Sequence, residues 1–326
     1  MNPAPLRLVI DTDTASDDAV ALMLALAEPS VTVEAITVVA GNVPLALAVR
    51  NAIVTCDVMD RADVPIYAGR AAPILRRLQS AQDVHGADGM GGAVLPPPSR
   101  EAEQEHAVGA LIRLANAEPG ARTLVTLGPL SNVATALLVD PELLSRFAHV
   151  WCMYGVADAI GNASASAEFN VWADPESAQI VLDHAQPGQV TFVGWDVSRK
   201  YAVITPTEQD ALVALGTVRA DFVQRINVAV DHFCRHVTGL AGYDLPDPIT
   251  MAAALRPELI KGWEMAAVEV VSKGPARGTL LVDRRPGARA TPNIRLVTEV
   301  DEGGFKAMLH ELCRGGPTGT IAAINR

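Results

Sequence analysis

Four carboxylates fall within eight residues: Asp11, Asp13, Asp17 and Asp18. An apolar run at 6–10 precedes them and reads as a buried strand. A second apolar run at 19–26 follows and reads as a mostly buried helix, halted before Pro29. Acids crowded into one turn repel each other, and protonation or a cation must relieve them. Oxygen donors of this kind suit a hard cation, Ca²⁺ or Mg²⁺. In the plainer reading, Asp17 or Asp18 caps the helix and favours its dipole. That accounts for one or two acids and leaves Asp11 and Asp13 unexplained.

Further polar clusters follow later apolar runs. The spacing predicts strands at 31–40, 64–68, 123–127, 150–155 and 190–196, with helices at 44–59, 102–117, 133–139 and from 173 onward. Ser131 is a possible cap for the third of these helices, and Pro175 opens the fourth in its first turn. This alternation predicts an α/β fold: an open, mostly parallel, doubly wound (Rossmann-like) sheet flanked by helices. All strand ends of a parallel sheet lie on one edge, so Asn42, the Leu127-Gly128 turn, and Asn162, Glu168 and Asn170 converge with the first acids on one crevice.

The remaining segments complete one domain spanning 1–326. A helical stretch at about 205–260, with a helix at 249–255, would bring Asp247 to the same crevice by folding over that edge. Three antiparallel strands follow at 266–271, 279–282 and 294–297, then a helix at 304–313. Residues 69–100 form a long loop, with His85 set among glycines. Such loops are commonly functional, though a solvent-exposed histidine is an equally simple reading of His85.

Composition narrows the partners. Of 326 residues, 49% are hydrophobic, enough for a large core. The 26 basic and 37 acidic residues give a net charge of −11, which argues against nucleic acid or an anionic membrane as partner. The first residues carry no long apolar stretch, so no leader is expected. No apolar run reaches membrane-spanning length, and the expected location is cytoplasmic. Cys56, Cys152, Cys234 and Cys313 are scattered, as buried thiols would be.

The polar inventory is acids, amides and one or two histidines. It lacks the glycine-rich lysine loop or arginine cluster of a phosphate site. Carboxylates accept from sugar hydroxyls, amides both donate and accept, and a hard cation takes vicinal hydroxyls. The residues therefore point to a metal-assisted enzyme acting on a neutral, sugar-like substrate.

With these motifs in order, the chain resembles the inosine–uridine preferring nucleoside hydrolases. The DxDxxxDD motif stands as Asp11, Asp13, Asp17 and Asp18, and TVVxGN as Thr37-Val38-Val39-Ala40-Gly41-Asn42. The HGxxG loop is His85-Gly86-Ala87-Asp88-Gly89, and the GPLSN turn is Gly128-Pro129-Leu130-Ser131-Asn132. Gly161 opens a segment ending in Ala167-Glu168-Phe169-Asn170, and Asp247-Pro248 closes the series.

The resemblance implies a nucleoside hydrolase fold, a Ca²⁺ cofactor, a role in purine or pyrimidine salvage, and a homodimer or homotetramer. It implies Asp13, Asp18, Asp247 and the Leu127 carbonyl as calcium ligands. Asp17, Asn42, Asn162, Glu168, Asn170 and Asp247 match ribose contacts, and Phe169 joins them as a substrate-binding residue. Asp13 matches the general base, which takes a proton from metal-bound water. The hydroxide then attacks the anomeric carbon through an oxocarbenium-like transition state.

The match breaks before Asp247. Many relatives carry a histidine there that protonates the departing base, and this chain carries Pro246. His85 is then a candidate acid. His232 and His236, four apart on one helical face with Arg235 and Tyr243 nearby, are further candidates for the substrate site, unless they are a solvated stripe. Tyr154 occupies a position where a second glycine is common. Trp172, four residues after Glu168, reads as core or interface rather than a base-stacking residue. Two rivals remain: a haloacid-dehalogenase-like phosphatase, suggested by Asp11-Thr12-Asp13, and a non-catalytic calcium-dependent nucleoside or sugar binder. Ala15 departs from the motif of the first, and an intact Asp13 has no purpose in the second.

Overall fold

The structure is a computed structural model that describes residues 5–285 and 290–321. Residues 1–4, part of the stretch read above for a leader, lie outside the described residues. Its strands are β1 Leu6–Thr12, β2 Val31–Val38, β3 Ile66–Ala68, β4 Thr123–Thr126, β5 His149–Met153 and β6 Val190–Val193, then β7 Val203–Ile204, β8 Tyr243–Asp244, β9 Ile260–Val270, β10 Leu280–Asp283 and β11 Ile294–Val300.

Nine strands form one sheet, in the order β10-β9-β11-β6-β5-β4-β1-β2-β3. Every pairing from β11 to β3 is parallel, and β9 runs antiparallel to both its neighbours. The inner strands are apolar or β-branched on both faces. Leu8, Val9 and Ile10 of β1 are wholly buried, as helices covering both sides of a parallel sheet require. Helix Ser16–Ala27 is buried along almost its whole length and packs against helix Pro246–Leu255.

The strand order 3-2-1-4-5-6 reverses direction between β1 and β4, and a crevice opens beyond the strand ends at that reversal. The acids after β1 and the Leu127-Gly128 turn after β4 therefore face each other across it. The α/β sheet expected from the sequence is the one found.

Several boundaries differ for local reasons. The helix expected from 102 starts at Ala107, because Glu103 N donates to Ile66 O at 2.7 Å and holds that segment against the sheet. The strand at 190–196 ends at Val193, and Trp195 already begins helix Trp195–Tyr201. Ser131 does not cap its helix: it is the first helical residue, and its Oγ donates to Asp174 Oδ2 at 2.5 Å. The strands expected at 266–297 do pair antiparallel with one another, β9 lying between β10 and β11, and β11 also pairs parallel with β6 and so joins them to the main sheet.

The stretch at 205–240 is helical as Pro206–Val213, Val218–Ile226 and Val228–Phe233, then a π-helical turn at Cys234–Thr238 closed by left-handed Gly239. Between that turn and helix Pro246–Leu255 lies β8, which pairs with β7. All four cysteines are buried and free. No described helix is long and apolar enough to cross a membrane.

Candidate active site

The acids that follow β1 take separate roles. Asp11 faces the sheet interior, where its Oδ1 accepts from Thr37 Oγ1 at 2.6 Å and Asn132 Nδ2 at 2.9 Å. Burial pushes its carboxyl up to about 7. Asp13 is wholly buried. Its Oδ2 accepts from the Asn42 backbone N–H at 2.6 Å, while its Oδ1 has no partner. Gly41 and Gly128 make room for this carboxylate. A Cβ at Gly41 would stand 2.1 Å from Asp13 Oδ2, and one at Gly128 would stand 2.5 Å from Oδ1.

Asp18 partly fulfils the capping expectation. Its Oδ2 accepts from Ala15 N at 2.9 Å, and its Oδ1 accepts from Thr12 Oγ1 at 2.6 Å. Asn42 Nδ2 also donates to Asp18 Oδ2, at 3.3 Å. Asp17 Oδ1 is buried without a hydrogen-bond partner.

The folded-back segment delivers Asp247, at the start of helix Pro246–Leu255, to this group. Oxygens of Asp17, Asp18 and Asp247 lie within 4.8 Å of one another, a grouping that could hold a metal ion. Asp13 stands beside this trio. Burial and then the Asp18 charge raise the Asp13 carboxyl well above the usual range, and burial followed by Asp18, Asp17 and Asp13 does the same to Asp247. These shifts measure how strongly the cluster resists holding its full negative charge unaided.

A cavity of about 240 Å³ opens in front of the cluster. Asp17, Asn42, His85, Leu127, Asn162, Glu168, Phe169, Asn170 and Asp247 line it, and all nine are residues expected from the sequence. Asp13 and Asp18 are not among its lining residues. Glu168 caps helix Phe169–Ala173: its carboxylate accepts from Asn170 N at 2.7 Å and Gly155 N at 2.9 Å. Burial nevertheless pushes it up to about 7. Asn162 Oδ1 accepts from Phe169 N at 2.9 Å, and Asn170 Nδ2 donates to Leu127 O at 2.7 Å. The segment that follows β5 and the turn that follows β4 are thereby tied into one wall.

His85 is buried, which excludes the solvent-exposed reading. It ends the short helix Gln82–His85, and its Nδ1 is 2.9 Å from Ser16 Oγ and 3.7 Å from Asp17 Oδ1. Desolvation lowers its imidazole to about 4. The structure does not bring His232 and His236 to the cavity. Both are exposed, with their rings stacked at 4.3 Å, His232 in helix Val228–Phe233 and His236 in the π turn. That turn instead lines the cavity through Cys234 and Thr238, together with Phe233 just before it.

Trp172, Trp195 and Asp244 are among the lining residues that were missed. Trp172, read from the sequence as core or interface, lines the cavity. Trp195 lies in the segment expected to be strand, and its Nε1 donates to Asp244 Oδ2 at 2.8 Å. Asp244 also accepts from Ser198 Oγ at 3.0 Å, and burial raises its carboxyl. An acid three residues before Asp247, in the segment that carries it to the crevice, was the available signal for Asp244.

Comparison with known proteins agrees with this geometry. The sequence model of the family described as Inosine-uridine preferring nucleoside hydrolase matches residues 8–307. The pyrimidine-specific ribonucleoside hydrolase RihA of Salmonella enteritidis is 34% identical over 311 residues, covering 94% of this chain and 97% of that protein. A plant nucleoside hydrolase, PpNRh1, superposes with a TM-score of 0.89 at 28% identity, over 95% of this chain and 99% of that one. A purine-preferring ribonucleoside hydrolase from Gardnerella vaginalis gives 0.86 at 27% identity, over 94% and 99%.

Proposed function

The chain belongs to the inosine-uridine preferring nucleoside hydrolase family and is a ribonucleoside hydrolase, and from that premise we propose that it works with a calcium ion and with Asp13 as the base. Neither the phosphatase reading nor the non-catalytic binder reading is favoured by that membership. The observation that carries the proposal is the buried oxygen cluster at the β1 end, where three carboxylate oxygens, Asp11 Oδ2, Asp13 Oδ1 and Asp17 Oδ1, are left without partners, the last two beside the Asp18 and Asp247 carboxylates. An all-oxygen donor set with unspent charge fits a hard cation. Asp13, Asp18, Asp247 and the Leu127 carbonyl would hold it. When bound it supplies Lewis acidity toward water and toward vicinal hydroxyls.

The side chains of this protein supply the rest. Asn42 N–H fixes one Asp13 oxygen, so the other is oriented to accept a proton from the attacking water. Asp17, Asn42, Asn162, Glu168, Asn170 and Asp247 hold the ribose hydroxyls, and Phe169 packs beside them. The carboxylates also stabilise the positive charge that develops on the sugar as the bond to the base breaks.

Pro246 offers no proton to the departing base. His85 is neutral near pH 7, since burial lowers it to about 4. In the tautomer whose Nδ1 accepts from Ser16 Oγ, the Nε2–H is left to donate to the base. His85 therefore acts by hydrogen bonding rather than as an imidazolium. His232 and His236 stand outside the cavity and have no place in this scheme. The proposal extends to nucleoside salvage in the cytoplasm and to a homodimer or homotetramer.

The test is release of ribose and free base from inosine, adenosine, guanosine, uridine and cytidine by the wild type and by Asp13→Ala. The panel spans both base classes because the relatives divide between them. At least one nucleoside is expected to be cleaved. Removal of the base should slow that reaction by about 10²–10⁴-fold with the circular dichroism unchanged. Near-wild-type turnover by Asp13→Ala would remove it as the base.

A further inference from the structure

Trp172 forms part of the cavity wall, and a remote segment holds it from outside. The turn joining β9 to β10 packs onto helix Phe169–Ala173. Gly278 approaches so closely, at φ +82°, that a Cβ there would stand 2.6 Å from Trp172 Cα and 3.0 Å from Ala167 Cβ. The turn is closed by Gly278 N donating to Val271 O at 2.7 Å. It is latched to the site loop by a 2.6 Å hydrogen bond between Thr279 Oγ1 and Ser166 Oγ, and Arg76 donates to its Ser272 carbonyl. From this turn Arg277 places its guanidinium carbon 4.0 Å from the centroid of the Trp172 ring. The Phe169 ring lies 6.3 Å from the same indole. Arg277 Nη2 also donates to Gln79 Oε1, at 3.4 Å, in the long loop that supplies Ser80 and Ala81 to the cavity.

An indole half open to a cavity has rotamers to choose from, and a guanidinium stacked on one face removes most of that choice. A wall fixed before binding does not have to be ordered during binding. We infer that Arg277 is a positioning residue: it fixes Trp172 as a rigid flat wall for the nucleoside, so the β9–β10 turn sets how tightly substrate is held. The inference rests on the nucleoside hydrolase reading. Arg277 acts through Trp172 and lies outside the Asp13 cluster, so its effect belongs in KM.

Steady-state kinetics of Arg277→Ala, Arg277→Lys, Trp172→Ala and the Arg277→Ala/Trp172→Ala double variant test this, on the nucleoside the wild type cleaves fastest. Arg277→Ala should raise KM by a factor of about 2 to 30, with kcat within about twofold. Arg277→Lys, which keeps the charge over the ring, should recover part of the loss. The double variant should match Trp172→Ala alone, because the two residues act as a unit. An unchanged KM in Arg277→Ala, a loss carried by kcat, or additive losses in the double variant would overturn the inference. If the wild type cleaves no ribonucleoside, the parent reading fails, and the placement of Trp172 is then read without substrate. Its acrylamide quenching, taken as the difference between wild type and Trp172→Phe, should rise in Arg277→Ala and Arg277→Lys. Unchanged quenching would refute the clamp.

Discussion

Asp13 shows how a carboxylate is kept reactive inside a protein. Two glycines remove the side chains that would crowd it, one backbone N–H fixes its Oδ2, and no protein donor meets its Oδ1. The motif spacing made the cluster legible from sequence, and the residue types made its chemistry legible. The division of labour was not legible. Asp11 and Asp13 are two apart and would share one strand face, but β1 ends at Thr12 and the chain turns there. Asp11 is therefore a strut bonded to Thr37 and Asn132, and Asp13 turns to the Asn42 N–H and the space left by Gly41 and Gly128. His85 carries a prediction at this scale. If it donates a hydrogen bond to the base, His85→Ala should slow cleavage of inosine or uridine more than cleavage of p-nitrophenyl riboside, whose leaving group needs no help. Equal losses on both substrates would exclude that role.

At the scale of elements, the alternation of apolar runs was enough to read the sheet and its helices, because a parallel sheet buries both faces and leaves continuous apolar runs. The misread boundaries lie where a long-range bond overrides local preference, as at Glu103 on Ile66 O, or where a helix follows a strand almost directly, as at Trp195. The placement of Trp172 was hidden for the same reason: the turn that clamps it lies about a hundred residues downstream. Close backbone approach gives a paired prediction. Gly41→Ala pushes a methyl into the space of Asp13 Oδ2 and Pro129 Cδ, so it should both destabilise the fold and lower kcat at least about tenfold, as misplacement of a catalytic group does. Gly120→Ala, at φ +78° with nothing within 4 Å of the new Cβ, should cost about 1 kcal/mol of stability and leave kcat intact. Thermal unfolding and kinetics on both variants check the contrast, and a fully active Gly41→Ala would contradict it.

At the scale of the molecule, buried acids couple stability to pH and to metal. Asp11 and Glu168 are pushed up to about 7, and Asp13, Asp17 and Asp247 are raised well above the usual range, with burial the largest cause in each. In the unfolded chain the same groups titrate near about 4. Between about 4 and 7 the folded state thus binds more protons than the unfolded state, and stability must fall as pH rises. Their stabilising contribution is complete below about pH 4 and is lost as pH climbs through about 7. Metal-free protein should show a lower Tm at about pH 8 than at about pH 5.5. Ca²⁺ at about a hundredfold excess over its Kd should restore about 2.7 kcal/mol at the higher pH. A metal-free Tm that is flat or rises across that range would show that these acids are not held protonated.

The central claim is that the acid cluster after β1 is a hard-cation site serving cleavage of the bond between ribose and base. The most direct measurement is the rate of base release from the best nucleoside of the panel, by protein stripped with a chelator and then given back Ca²⁺. The account predicts that stripped protein falls to a small fraction of its starting rate and that Ca²⁺ restores it. A stripped protein that retains its full rate would contradict the account.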